Sequence, residues 1–329
     1  ARLSAALDDL FVADQVRSTD RQRASMRLML DGLVQEVEAD LRAALVGRLG
    51  PAAPEVLGVG RVSIIRPVFD RAGVLRDREL VALLLARAEE HRICTALRHA
   101  ADGTSDTSVS AEGFECGDPA LDLALKRAES RRFDQSAAPR LAACDLPAEL
   151  LHRLLWWSAA ALRDHLNRTT GLSPDLRDDA LAGAVLTRLA GHDEGLTLDA
   201  AAMRVALAME PDRPELLDVL RSGRISLFAA LLARQAGIDQ PAAFLLISDP
   251  SGSAFAVLLR ALDLPLETAA PLLLQMAAAN GLSDQVVEAL IDDFIDLGAD
   301  AARDVLQPWR LDRAFRHAIA DIGRERRRR

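Results

Sequence analysis

"FAALLARQAGIDQPAAFLLIS", residues 228–248, is followed almost at once by "FAVLLRALDLPLETAAPLLLQ", residues 255–275. At an offset of 27 residues, eight of 21 positions are identical. Phe228 falls on Phe255, Leu231 and Leu232 on Leu258 and Leu259, Ala242 and Ala243 on Ala269 and Ala270, and Leu245 and Leu246 on Leu272 and Leu273. Each copy reads as two short apolar helices broken at "GID" or "DLP". A pair of that length cannot bury its apolar stripe alone and must stack on a neighbour. The repeat therefore predicts an all-α chain built as an irregular HEAT-like α-solenoid of stacked helix pairs, with Phe228 and Phe255 buried at equivalent places. An earlier stretch, "IIRPVFDRAGVLRDRELVALLL" (64–85), fits the same template, with Ile64, Val68, Gly73, Leu80 and Val81 at the corresponding positions.

Composition agrees with packed helices. The 329 residues are 50% hydrophobic, only 4% aromatic with no Tyr, and 27% charged. Ala and Leu, both strong helix formers, recur throughout, and strand formers are sparse. Forty basic against 49 acidic residues give a net charge of −9, which repels a phosphate backbone and makes nucleic acid a disfavoured partner. The three cysteines, Cys94, Cys116 and Cys144, are odd in number and widely spaced, so they form neither a disulfide framework nor a zinc motif. A reducing, cytoplasmic setting is the expectation. "ARLSAALDDLFVAD" lacks the basic start and apolar core of a signal peptide. The longest uncharged run, Thr268 to Ser283, is too short and too polar for a bilayer and reads as a buried helix.

Thr19 and Asp20 are placed to cap a long amphipathic helix, in which Met26, Leu30, Val34, Val37, Leu41 and Leu45 recur at helical spacing until Gly50 and Pro51 end it. Shorter helices then alternate with breakers such as "RAGVLRD", "AMEPDRPE", "LRSGRIS" and "ISDPSGS". The expected organisation is an N-terminal helical region (1–100), a hydrophilic loop (101–119), a central helical region (120–190), a C-terminal helical-repeat region (196–323) and a basic tail (324–329).

The segments "DRQRASMRLMLDGLVQEVEADLRAALVGRLG", "IIRPVFDRAGVLRDRELVALLLARAEEHRICTAL" and "LRSGRISLFAALLARQAGIDQPAAFLLISDPSG", in that order, resemble a bacterial family of helical proteins of unknown function, found mainly in alphaproteobacteria. The resemblance implies an all-helical fold with HEAT-like repeats. It implies no catalytic residue, since its motifs are apolar and structural.

Catalytic patterns are weak. His91 and Cys94 share a helical face, with Cys116 and Asp118 beyond, but the spacing fits no zinc motif, and a buried Cys94 explains the same letters. No "GxSxG" elbow accompanies the scattered histidines, which read as solvated. "GVGRVS" (58–63) follows no strand and lacks a Walker lysine; "DGTSDTS" lacks the turn glycine of a calcium loop. No cofactor and no metal is expected. The tail "GRERRRR" offers charge to nucleic acid or an acidic lipid surface, and otherwise reads as a solvated end.

One residue stands out in "PAELLHRLLWWSAAALRDHLNR" (147–168). The apolar stripe runs through Leu151, Leu154, Leu155, Leu162 and Leu166, whereas Trp156 projects onto the face of Glu149, Arg153, Ala160, Arg163 and Asn167. Such a ring needs a cover: a neighbouring helix, the stems of Arg153 and Arg163 in a cation–π contact, or a partner. His152, Arg153, Trp156 and Arg163 therefore form the candidate interaction surface. The function expected is a protein–protein interaction or regulatory scaffold for a protein or peptide partner, a second copy of the chain included. The alternatives are an enzyme or small-ligand binder with a pocket between helices, and, less favoured by charge, a nucleic-acid-binding helical repeat.

Overall fold

The computed structural model describes residues 19–58, 62–102, 117–133, 138–209 and 216–322, apart from 317, 320 and 321. Among them there is no strand, only one isolated antiparallel bridge between Phe133 and Pro139. The chain is all-α. Fifteen α-helices, with short 3-10 turns between some of them, carry the described residues.

Contacts divide the chain into two units that do not follow sequence order. One holds residues 19–88 and 127–197; the other holds 89–126 and everything from 198 onward.

The first unit is organised by α1 (Asp20–Leu49). Thr19 caps it in a reciprocal box: its hydroxyl accepts from Gln22 N (3.1 Å) while Thr19 N donates to the Gln22 side chain (2.6 Å). Met29, Leu33, Val34, Val37, Leu41, Leu45 and Leu49 are buried along one face, and Met26 and Leu30 lie half-buried at its start. After a short α2 (Glu55–Gly58), α3 (Ile65–Ala72) buries Ile65 and Phe69 and ends at Gly73, whose φ of 70° is the left-handed turn that glycine adopts without strain. Of the template positions here, Leu80 is buried, Ile64 and Val68 are half-buried against the core, and Val81 is exposed; Ile65, Phe69 and Leu84 are buried beside them. Helix α4 (Arg78–Asp102) gives its first part to this unit. Helices α6 (Ala148–Thr169) and α7 (Pro174–Ala190) complete it, each packing on α1 and on the other.

Two charged residues lie inside that apolar face. Glu38 and Arg42 are buried one turn apart on α1 and paired with each other. Glu38 also accepts from the Ser63 hydroxyl, from Ile64 N at 2.8 Å and from Ile65 N at 3.3 Å, while Arg42 donates to Val62 O at 3.2 Å. A buried carboxylate thus caps the first turn of α3, satisfying amide protons that no residue of α3 itself reaches.

The second unit begins with the rest of α4 and with α5 (Pro119–Ser130) as far as Lys126. The expected 101–119 loop falls largely outside the described residues; 101 and 102 finish α4 and Pro119 opens α5. The 324–329 tail lies outside them altogether. The remaining helices are α8 (Leu198–Ala208), α9 (Leu216–Arg221), α10 (Ile225–Ala236), α11 (Gln240–Ile247), α12 (Ser253–Ala261), α13 (Leu266–Asn280), α14 (Asp284–Asp296) and α15 (Ala299–Leu306). The duplicated sequence becomes the pairs α10/α11 and α12/α13. Phe228 and Phe255 are both buried and meet edge to face, with centroids 6.1 Å apart. Helix α10 is enclosed on all sides over its first nine residues: every residue from Ile225 to Ala233, Ser226 included, is buried, with α8, α9 and α11 packed on it. The correspondence is imperfect in α11, where Leu245 is exposed although its counterpart Leu272 is buried.

The helix-ending turns repeat too. After α10, Ile238 N reaches back to Ala233 O (3.1 Å); after α12, Leu264 N reaches Leu259 O (3.3 Å); after α13, Leu282 N reaches Ala277 O (3.0 Å). The left-handed residues in these caps are Gly237, Asp263 and Gly281, with φ of 66°, 58° and 68°. Asp263 is the one non-glycine residue with positive φ among those described.

Helix α4 is fastened to these pairs by polar bonds. Arg92 donates to Ala279 O (2.9 Å) and Asn280 Oδ1 (2.8 Å), the Cys94 thiol lies 3.1 Å from Gly223 O, and Ser226 donates to buried Glu90 at 2.5 Å. Cys94 is therefore a core residue, as its surroundings in the sequence suggested. No helix among the described residues is long and apolar enough to cross a membrane.

Candidate interaction surface

Helix α6 sets the geometry of the four candidate residues. Leu150, Leu151, Leu154, Leu155, Ala161, Leu162 and Leu166 are buried, which fixes the helix about its axis and turns Trp156 outward. Trp157 lies half-buried against the core, while Trp156 keeps 37% of its surface exposed. Glu149, Ala160 and Asn167 on the same face are exposed as well.

The neighbour of the Trp156 ring is His152, one turn earlier. The rings stand edge to face at 6.3 Å, and the indole Nε1–H donates to His152 Nε2 at 3.0 Å. In that bond the Nε2 lone pair is the acceptor.

The two arginines go elsewhere. Arg153 Nη2 donates to Asp77 Oδ2 (3.1 Å) and Glu79 Oε2 (2.9 Å). Asp77 also accepts from Glu79 N (2.9 Å) and Leu80 N (3.1 Å), which makes it the cap of α4. Arg153 thus ties α6 to the beginning of α4. Arg163 forms a two-pronged pair with Asp178 on α7, Nε to Oδ1 at 3.0 Å and Nη2 to Oδ2 at 2.9 Å. Asp178 accepts in addition from Arg177, a buried arginine whose other arm reaches Asn167 at 2.7 Å. Those two guanidinium groups, Arg177 first and Arg163 second, hold the Asp178 carboxyl down at about 2 from its ordinary value of 3.8.

The structure brings together His152 and Trp156 as an exposed aromatic pair and sets Arg153 and Arg163 beside it in ion pairs within the unit. The acidic partners were not singled out from sequence. Asp77 and Glu79 lie more than seventy positions before Arg153, and such a separation leaves no periodic trace.

Elsewhere the chemistry is sparse. Among the described residues no group of three or more His, Cys, Asp or Glu side chains is placed to hold a metal. Cys94 and Cys144 are free thiols, and burial, followed by the neighbouring Asp145 charge, pushes the Cys144 thiol up, away from the thiolate a nucleophile needs. Of the histidines expected to be solvated, His99 and His152 are exposed, whereas His165 and His192 are half-buried, each with an Nε2 buried out of reach of any hydrogen-bond partner.

The described residues define an all-helical protein. The chain belongs to a family of uncharacterised proteins conserved in bacteria, DUF2336, whose model matches residues 110–307. No curated protein and no solved structure matches it. The matched span covers α5 to α15 and so includes both the α6 surface and the duplicated pairs.

Proposed function

We propose that the protein is an interaction or regulatory module whose helix pairs stack as an irregular HEAT-like array and whose partner is another protein or peptide. Exposed Trp156 carries this reading. A large aromatic ring left in water is unfavourable unless something covers it, and tryptophan flanked by arginine is the composition of residues that dominate binding energy. The surrounding polar side chains are fixed beforehand: His152 holds the indole edge, and Arg153 and Arg163 are held by carboxylates. A surface ordered in advance loses less side-chain freedom on association. Free thiols and the net charge of −9 fit a cytoplasmic protein that avoids phosphate backbones.

The test compares the chain with Trp156→Ala in affinity capture from the native cell and in light scattering. Loss of a captured partner or of mass, with stability changed by less than about 1 kcal/mol, supports the reading. A variant that unfolds readily and keeps every partner overturns it.

A further inference from the structure

The exposed side of α6 carries the spacing of a helix–helix seam. Glu149, Arg153, Trp156, Ala160, Arg163 and Asn167 follow one another at intervals of four, three, four, three and four residues, the alternation by which two supercoiled helices face each other. Arg153 is half-buried and the other five are exposed, while the leucine stripe on the opposite side lies in the core. At the middle of the seam the largest ring, Trp156, stands one turn from the smallest side chain, Ala160.

This seam is complementary to itself when a second copy runs antiparallel to it. In a two-fold pairing centred at the level of residue 158, Trp156 lies over Ala160 of the other copy, Arg153 faces Arg163, and Glu149 faces Asn167. A large ring set on a small side chain fills each central layer without a clash. A parallel pairing sets Trp156 against Trp156 and leaves Ala160 facing a gap.

The polar layers match as well. Arg153 stands between two carboxylates, Asp77 and Glu79, a surplus of one negative charge. Asp178 stands between two guanidinium groups, Arg163 and Arg177, a surplus of one positive charge. The antiparallel pairing sets each cluster opposite the other, so unlike charges meet at both ends. In the outer layer Asn167 Oδ1 already accepts from Arg177 at 2.7 Å, which leaves the amide hydrogens of Asn167 to donate to the Glu149 carboxylate of the other copy. Helix α6 has 22 residues, about 33 Å of seam. One helix face per copy falls short of the roughly 800 Å² per partner of a standard interface, so the pairing is weak and depends on concentration.

We propose that the α6 surface pairs with the same surface of a second copy, as an antiparallel two-fold dimer centred on the Trp156–Ala160 layers. This assignment rests on the reading of Trp156 as a binding surface and names its partner. The experiment is sedimentation equilibrium of the purified full chain over a range of concentrations. A mass that climbs from that of one chain toward that of two is expected. Ala160→Glu, a change at an exposed position, should raise the dimer dissociation constant roughly tenfold or more, because ring and carboxylate cannot share the layer. Thermal unfolding verifies that the variant keeps the fold. Under a mild oxidant the double variant Glu149→Cys, Asn167→Cys should give a covalent dimer beyond any seen for the native chain. Glu149→Cys alone should not, since the two copies of residue 149 lie about 27 Å apart in this pairing. A dimer unmoved by Ala160→Glu, or cross-linked by Glu149→Cys alone, overturns the proposal. A chain that stays monomeric at every concentration overturns it too, and Trp156→Ala then separates the two readings. Loss of a captured partner leaves the surface to a different protein, whereas capture unchanged removes the surface altogether.

Discussion

The α10–α13 helices and the α6–α7 pair both pack helix against helix, yet the balance of forces differs between them. Around α10 the centre is apolar, with Phe228, Leu231 and Leu232 buried, Phe255 meeting Phe228 edge to face and left-handed caps turning the chain, and polar bonds such as Ser226 to Glu90 and Arg224 to Asp122 lie at its first turn. Around α6 the leucine stripe is supplemented by charges placed at the edges, Arg153 on Asp77 and Glu79, Arg163 on Asp178, and Arg188 of α7 on Asp40 of α1. An apolar interface tolerates inexact copies, because burial depends on area rather than direction. A charged one fixes register, because each guanidinium matches one carboxylate geometry.

The comparison is broken most sharply at Phe228. Phe228→Ala removes a fully buried ring and strips Phe255 of its partner, at a cost of about 3 to 5 kcal/mol in denaturant unfolding. Hydrogen exchange followed by mass spectrometry should show faster exchange in 225–261. A cost below about 1 kcal/mol would mean that α10 is not the apolar centre of its unit.

A smaller effect is expected at Glu38. Glu38→Gln leaves Arg42 buried without its countercharge and weakens the cap of α3, a loss of about 3 kcal/mol. The simultaneous change Glu38→Leu, Arg42→Leu should recover part of that loss, since an apolar pair of similar volume needs no countercharge. If the single change is silent, the α1–α3 junction is held by its apolar residues alone, and the contrast between the two units weakens.

What the sequence made legible follows the same division. The duplicated apolar pattern located α10 to α13 and buried Phe228 and Phe255, because burial repeats with the helical period. It missed Ile65 and Phe69, which are fully buried on α3 while Ile64 and Val68 are half-buried against the same core, since Ile64 and Ile65 are adjacent and equally apolar. The outward position of Trp156 was also legible, from the stripe it interrupts. Its bond to His152 and the carboxylates that hold Arg153 and Arg163 were not, because pairing across the chain depends on tertiary placement. The equivalence of Asp263 with Gly237 was hidden for another reason: the backbone conformation recurs while the residue does not, and one position outside the 27-residue offset.

The smallest expected effect tests the charged edge of α6 directly. Asp178 is exposed, so its two arginine bonds are weakened by water, but they still depress its carboxyl to about 2. A group whose pKa is lower folded than unfolded stabilises the fold fully above its unfolded value, near 3.8, and loses that contribution as pH falls toward the folded value. The difference in melting temperature between the native chain and Asp178→Asn should therefore be constant from neutral pH down to about 4 and should shrink toward zero between about 4 and 2. Arg163→Gln should reproduce part of it. It removes the second of the two bonds and leaves Arg177 in place, so the remaining shift measures what the buried arginine alone supplies. A native chain that melts below Asp178→Asn at neutral pH and closes that gap as the solution is acidified would show that the carboxylate is destabilising where it stands. The α6–α7 edge would then rest chiefly on its leucine stripe.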